Sequence, residues 1–260
     1  MKEYLVNQLL NCGNKALKST CQIFYKAKAI GSGVLITIND KKYLLSAAHV
    51  LEHQFVPEMT IPNGEILVEI QGELLTSQIP LDGDREDDKF DIGILLLKKE
   101  CSDELEKRFR FITIDEIDRN HKALKSHQYM FCGYPVQDTI VLNMEIKIYP
   151  TPLKVRTKLT ERQLVNLPKY SKNSKWILDY KRTTQKNIVS DEDQTGSHPK
   201  GVSGAGLWSI PLNFNLNPNQ TKMKLIGIMT DFFEGNDQVV CATNINIIIK
   251  IIESQFIQSK

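Results

Sequence analysis

The segment Pro199-Lys200-Gly201-Val202-Ser203-Gly204-Ala205-Gly206-Leu207-Trp208-Ser209 brackets one serine with three glycines. Glycine reaches positive φ at little cost and lets other atoms approach the main chain, so Gly-x-Ser-Gly-x-Gly suits a tight turn presenting a hydroxyl to a reacting carbonyl. The amides of Gly201 and Ser203 are the donors such a turn would aim at a developing oxyanion. Ordinary turn chemistry also produces glycine-serine runs, so the segment needs partners before it implies catalysis. An unactivated hydroxyl is a poor nucleophile, and His49 is the candidate base. It follows an apolar run, Tyr43-Leu44-Leu45, that passes through Ser46-Ala47-Ala48 into a helical-looking turn. A histidine satisfying local hydrogen bonds at a strand end is the alternative. His53, His121, His127 and His198 have no comparable setting. Asp91 opens the apolar strand Ile92-Gly93-Ile94-Leu95-Leu96-Leu97, where a carboxylate is placed to fix the imidazole tautomer and stabilise its charged form. Asp84, Glu86, Asp87 and Asp88 crowd the polar loop just upstream and read as solvated.

Ser46-Ala47-Ala48-His49-Val50, Asp91-Ile92-Gly93-Ile94-Leu95-Leu96 and Gly201-Val202-Ser203-Gly204-Ala205-Gly206 resemble segments of the trypsin/chymotrypsin-like serine proteases. Their order, His then Asp then Ser, is also that family's and differs from the orders of the subtilisin and α/β-hydrolase folds. Spacings of 42 and 112 residues put His49 and Asp91 in one half and Ser203 in the other, as a two-barrel protease builds its cleft. Flanking segments extend the resemblance over most of residues 20 to 255. Ala29-Ile30-Gly31-Ser32-Gly33-Val34-Leu35-Ile36 resembles the strand before the histidine segment. Met130-Phe131-Cys132-Gly133-Tyr134-Pro135 resembles the strand opening the second barrel, and Leu225-Ile226-Gly227-Ile228-Met229-Thr230 the strand bordering the substrate.

The resemblance implies an all-β fold of two six-stranded antiparallel β-barrels, chymotrypsin-like, with a short N-terminal helix and a C-terminal helix. The expected division is a helical extension at 1–20, a first barrel at 21–115 with His49 and Asp91, and a second barrel at 116–260 with Ser203. The implied activity is peptide-bond hydrolysis through an acyl-enzyme, with His49 as base, Asp91 orienting it and the Gly201 and Ser203 amides as oxyanion hole. It implies protein or peptide substrates and no metal or organic cofactor. By similarity, Ser197 lies near the base of the primary pocket, Thr230, Asp231 and Phe232 along the strand where substrate pairs, and Val239, Val240 and Cys241 on another wall. No carboxylate falls clearly at the pocket base, which favours a small or apolar residue there, although Asp231 keeps a Lys or Arg preference open. Val202 stands where digestive members have an aspartate that pairs with a freshly cut N-terminus, so control falls to expression, a regulatory protein partner or rearrangement of the 183–200 loop. Ala205 stands where many relatives have glycine. Relatives of this kind include bacterial proteases of stress and antiviral defence. A protease-fold binding or regulatory module without turnover, and an esterase using the same triad, are the alternatives.

The net charge of +2 gives no reason to expect a nucleic-acid partner. A chain of 260 residues buries roughly 70–75% of its unfolded surface, enough for one large or two small cores. The five cysteines are odd in number, scattered and without a CxxC pair, and read as reduced, mostly buried thiols. The N-terminal residues carry Glu3 within a short apolar pattern at 5, 6, 9 and 10, which makes a poor signal peptide and a better amphipathic helix over 4–18. No stretch approaches the ~18 apolar residues of a membrane span. The expectation is therefore cytoplasmic residence without a membrane partner. Short strands dominate the pattern, with helical turns at 49–53 and 103–109. The isoleucine-rich run over 245–257 suits helix or strand, and the resemblance decides for helix.

Overall fold

The computed structural model describes residues 2–52, 58–64, 66–124, 126–142, 147–160, 174–180, 185–186, 193–194, 198–212, 221–233 and 238–257. Helix α1 (Lys2–Leu17) leads into strands β1 (Thr20–Tyr25), β2 (Lys28–Ile38) and β3 (Lys41–Ala47), then the single turn α2 (Ala48–Leu51). Strands β4 (Met59–Asn63), β5 (Ile66–Glu69), β6 (Gly72–Thr76) and β7 (Ile92–Leu97) precede α3 (Lys99–Glu106) and β8 (Ile112–Thr113). Then come β9 (His127–Gly133), β10 (Thr139–Leu142), β11 (Lys147–Pro150), β12 (Leu153–Thr157) and β13 (Lys175–Asp179). The chain closes with β14 (Gln185–Lys186), β15 (Asp193–Gln194), β16 (Gly206–Pro211), β17 (Lys224–Phe233), β18 (Val239–Asn244) and α4 (Ile245–Ile252).

Among the described residues, two curled sheets carry the fold. The first runs β5-β4-β1-β2-β3-β7-β6, with β8 pairing parallel to β2, and the second runs β12-β9-β16-β17-β18-β13. The second has the six antiparallel strands expected. The first has seven on its antiparallel path, because β4 forms despite Pro62. Pairing with β1 involves only Met59 and Thr60, so Pro62 sits where β4 pairs with β5 alone and a missing N–H is tolerated.

The period-2 alternation of each strand explains why the apolar runs are nearly continuous. On β2, Val34, Ile36 and Ile38 face a core shared by both sheets, whereas Leu35 faces a core built from the first sheet. On β9, Met130 and Cys132 join the shared core while Tyr129 and Phe131 join that of the second sheet. Both faces of these strands are therefore buried. Helix α4 adds Ile245, Ile248, Ile249 and Ile252 to the shared core, each contributing about 1.5–3 kcal/mol by burial. This spacing and the Asn244 side chain, which accepts the Asn246 N–H at 2.9 Å, select helix over strand for the run. The α-helix ends at Ile252 and residues 253–257 form a π turn.

Candidate active site

Strand register brings His49 to Asp91. β3 and β7 pair antiparallel with Ala47 opposite Ile92, so the residues just after β3 face those just before β7. Ala48 N–H donates to the Asp91 carbonyl at 3.0 Å and His49 N–H to Asp91 Oδ1 at 3.1 Å. His49 Nδ1 and Asp91 Oδ2 are 2.7 Å apart. A carboxylate only accepts, so Nδ1 carries the hydrogen and, in the neutral ring, Nε2 keeps its lone pair. Asp91 is 7% exposed at its side chain and His49 41%, so the carboxylate is buried and the imidazole is open to solvent. The φ of Asp91 is +50°. The other non-glycine residues at positive φ among those described are Lys26 and Ala27, and Asn39 and Asp40, in two-residue hairpin turns that require it. At Asp91 the conformation costs on the order of 1 kcal/mol and is held by the surrounding bonds.

The loop before Asp91 corrects one expectation. Asp88 is buried, not solvated: it accepts from Ser77 Oγ, from Arg85 Nη1 at 2.7 Å and from Phe90 N–H at 2.9 Å. Burial pushes its carboxyl up, but bonds from Ser77, the Phe90 and Asp91 amides and Arg85 outweigh that and hold it below the ordinary value. Four acidic residues that look alike in sequence thus include one that anchors the turn into β7.

The serine turn is fixed by its carbonyls. Ser32 N–H, from β2, donates to the Ser203 carbonyl at 2.8 Å, and Ser32 Oγ donates to the Gly201 carbonyl at 2.9 Å while accepting the Tyr134 N–H at 2.9 Å. Val136 N–H holds the Lys200 carbonyl at 2.9 Å. Val202, Gly204 and Ala205 donate their amides to Pro199, Met229 and Val202 respectively. Among the described residues, the amides of Gly201 and Ser203 have no acceptor. Gly201 sits at φ +93°, and a Cβ there would lie 2.5 Å from Val136 Cγ2, so only glycine fits this turn.

Gly31 is where the two halves meet. A Cβ there would lie 2.6 Å from Val50, the neighbour of His49, and 3.2 Å from the Ser203 carbonyl, so its bare backbone admits both turns. Ser203 Oγ donates to the Thr230 carbonyl at 3.5 Å, and no hydrogen bond joins it to His49 among the described residues. A cavity of about 550 Å³ opens beside His49, with Ala27, Ile30, Val136, Thr139 and Lys200 in its walls.

The remaining expected positions fare differently. Thr230, Asp231 and Phe232 lie on β17, with Phe232 edge-on to Tyr180 and His198 at 5.8 and 5.6 Å between ring centres. Val239 and Val240 are each 1% exposed, and Val240 packs in the second-sheet core. Ser197 and His53 lie outside the described residues. His121 also has a carboxylate partner, Asp118 at 2.9 Å, but its side chain is 1% exposed and its other nitrogen bonds Tyr129. Sequence reasoning missed Ser32 and Lys175. Ser32 lies inside the Ala29–Ile36 strand segment and Lys175 at a strand start, and neither carries a local signal of a role. Lys175 Nζ is instead buried against Asp231 at 2.9 Å. All five cysteines are buried, and burial raises the Cys12 and Cys132 thiols to about 11 and about 12. Among the described residues, no three His, Cys, Asp or Glu side chains are grouped to hold a metal, and no helix is long and apolar enough to cross a membrane.

Solved structures share this architecture. Neuropsin, a serine protease expressed in the limbic system of mouse brain, aligns with a TM-score of 0.54 at 14% identity, over 91% of this chain and 93% of its own. Kallikrein-related peptidase 10 aligns with a TM-score of 0.51 at 14% identity, over 91% and 94%. No protein-family model matches the sequence, and no curated protein matches it. The chain has the chymotrypsin-like fold of trypsin-like serine proteases.

Proposed function

We propose that the protein is a serine endopeptidase that cleaves peptide bonds through an acyl-enzyme on Ser203. The observation that carries this reading is the two-point grip of Asp91 on His49, at 3.1 Å to its amide and 2.7 Å to its ring. It leaves the Nε2 lone pair on an accessible imidazole, as general-base catalysis requires. As Ser203 Oγ attacks the carbonyl carbon, His49 Nε2 takes its proton, and the carbonyl oxygen becomes an oxyanion within reach of the Gly201 and Ser203 amides. Collapse breaks the C–N bond, and His49 returns the proton to the leaving amine. Water, deprotonated by the same nitrogen, then attacks the acyl carbonyl, and His49 returns that proton to Ser203 Oγ as the ester bond breaks. Reaching His49 requires Ser203 Oγ to leave the Thr230 carbonyl. Catalytic bonds are often long before substrate binds.

The substrate strand in this reading pairs with Thr230, Asp231 and Phe232, with Ser197, Val239 and Val240 as pocket positions. The halves divide at about residue 115, after the helical extension of residues 1–20. Cytoplasmic residence rests on the five scattered cysteines that the sequence reads as reduced thiols. A regulatory partner, and a setting in bacterial stress or antiviral defence, belong to the same reading and rest on the sequence resemblance. Peptide-library cleavage by the wild type, absent with Ser203→Ala, tests the central step. Cleavage that persists in that variant contradicts it.

A second reading, a protease-fold binding module without turnover, draws on the missing Ser203–His49 hydrogen bond. It predicts peptide binding unaffected by triad substitutions and no cleavage at any concentration.

A further inference from the structure

Behind the His49–Asp91 pair lies a buried lysine, paired with a partly buried aspartate, to which the roles above give no part. Lys175 opens β13 with a side chain 0% exposed. Its Nζ donates to Thr230 Oγ1 at 2.6 Å, to Asp231 Oδ2 at 2.9 Å and to the Phe90 carbonyl at 3.1 Å. Thr230 Oγ1 in turn donates to Asp231 Oδ2 at 2.7 Å. Thr243, directly opposite Lys175 in the β13–β18 ladder, donates its hydroxyl to the same Phe90 carbonyl at 2.6 Å.

These bonds bear on the strained residue of the site. The two peptide planes flanking the Asp91 Cα set its backbone angles. The following plane is pinned by Ala48 N–H on the Asp91 carbonyl at 3.0 Å, a bond within the first half. The preceding plane is pinned through the Phe90 carbonyl by Lys175 and Thr243, both from the second sheet. Lys175 also holds Thr230, whose carbonyl receives the Ser203 hydroxyl. Burying an ammonium is costly, and well-packed apolar residues of similar volume hold a fold as well as a buried ion pair does. Stability alone therefore gives no account of a lysine here.

We propose that Lys175 is a positioning residue whose ammonium ties the Phe90–Asp91 peptide to Thr230 and Asp231 on β17, so that Asp91 stays aligned with His49 only while the two sheets are docked. It follows that the Asp231 carboxylate is committed to Lys175, which argues against a selective pocket for basic substrate residues. The proposal rests on the acylating role of Ser203 above.

The test pairs Lys175→Met with Asp231→Asn, which leaves the net charge unchanged and orphans no carboxylate. Three readouts are taken: the unfolding midpoint, kcat and KM on a cleaved peptide, and the second-order rate at which a small fluorophosphonate modifies Ser203. The last reads triad alignment without needing β17 to pair with substrate. The folded variant is expected to lose about tenfold to a hundredfold in both kcat and phosphonylation rate, with KM within about threefold. A folded variant phosphonylated as fast as the wild type overturns the proposal and leaves the protease reading standing. A folded wild type that is neither labelled nor active overturns both. Thr243→Val removes the other donor to the Phe90 carbonyl and leaves the ion pair intact, so it carries the test if the double variant does not fold. It is expected to slow phosphonylation about threefold to tenfold, and an unchanged rate overturns the proposal.

Discussion

The two halves of the site are built differently. In the first, the His49–Asp91 pair is already formed, because strand register and two backbone bonds deliver a ring and a carboxylate to within 2.7 Å. In the second, the serine turn is held by its carbonyls, while its hydroxyl lies on Thr230 and two amides stand without acceptors among the described residues. Orientation is complete before substrate arrives. In the proposed mechanism Ser203 and the Gly201 and Ser203 amides complete their bonds only with a substrate in place, which is where binding energy favours the transition state over the ground state.

Ser203→Ala breaks the second half alone. Its kcat should fall by about 10⁴ or more while the unfolding midpoint stays put, since the hydroxyl makes only a 3.5 Å contact. Loss of fold together with activity would show that the turn depends on that hydroxyl. Gly201→Ala attacks the amides instead. Its methyl would meet Val136 at 2.5 Å at a φ unsuited to alanine, and kcat should drop about 10²–10³ as one oxyanion donor turns away. A change confined to KM would deny that amide its role.

Ser32→Ala sharpens the comparison, because one hydroxyl of the first half holds the Gly201 carbonyl of the second. Stability should fall by about 1–3 kcal/mol, read from denaturant midpoints, as the Tyr134 amide loses its acceptor. The phosphonylation rate should fall with it.

The smallest effect separates the halves by pH. His127, on β9, has its pKa lowered first by burial and then by His121, partly opposed by Asp118. Its contribution is present above its ordinary value of 6.5 and lost as pH falls through the lowered folded value. Asp88 is also depressed, from 3.8, so its contribution persists until pH drops below the carboxylate range. Between about pH 6.5 and 4, hydrogen-exchange protection should weaken in β9 and β16 before it weakens in β3 and β7. Uniform loss across both sheets would contradict this, and His127→Gln should abolish the difference.

What the sequence displays follows from how local each feature is. The Ser46–Val50 segment, the Asp91 strand and the Gly201–Gly206 turn are each written in a few consecutive residues, and two of the turn's glycines, Gly201 and Gly204, sit at positive φ. The Asp88 anchor was hidden because burial depends on Arg85 and Ser77 closing over it, while Asp84 and Asp87 beside it look the same. Strand β4 contains Pro62, whose tolerance depends on which neighbour pairs there and so on contacts beyond its own segment. Lys175 could not be found from its neighbours, since its acceptors lie 55, 56 and 85 residues away along the chain.

The most direct measurement is the site of covalent attachment when the folded protein is incubated with a fluorophosphonate and digested for mass spectrometry. Convergence of the two halves predicts one adduct per chain on Ser203, strongly suppressed in His49→Ala. No adduct, or one on another residue that survives His49→Ala unchanged, would contradict it.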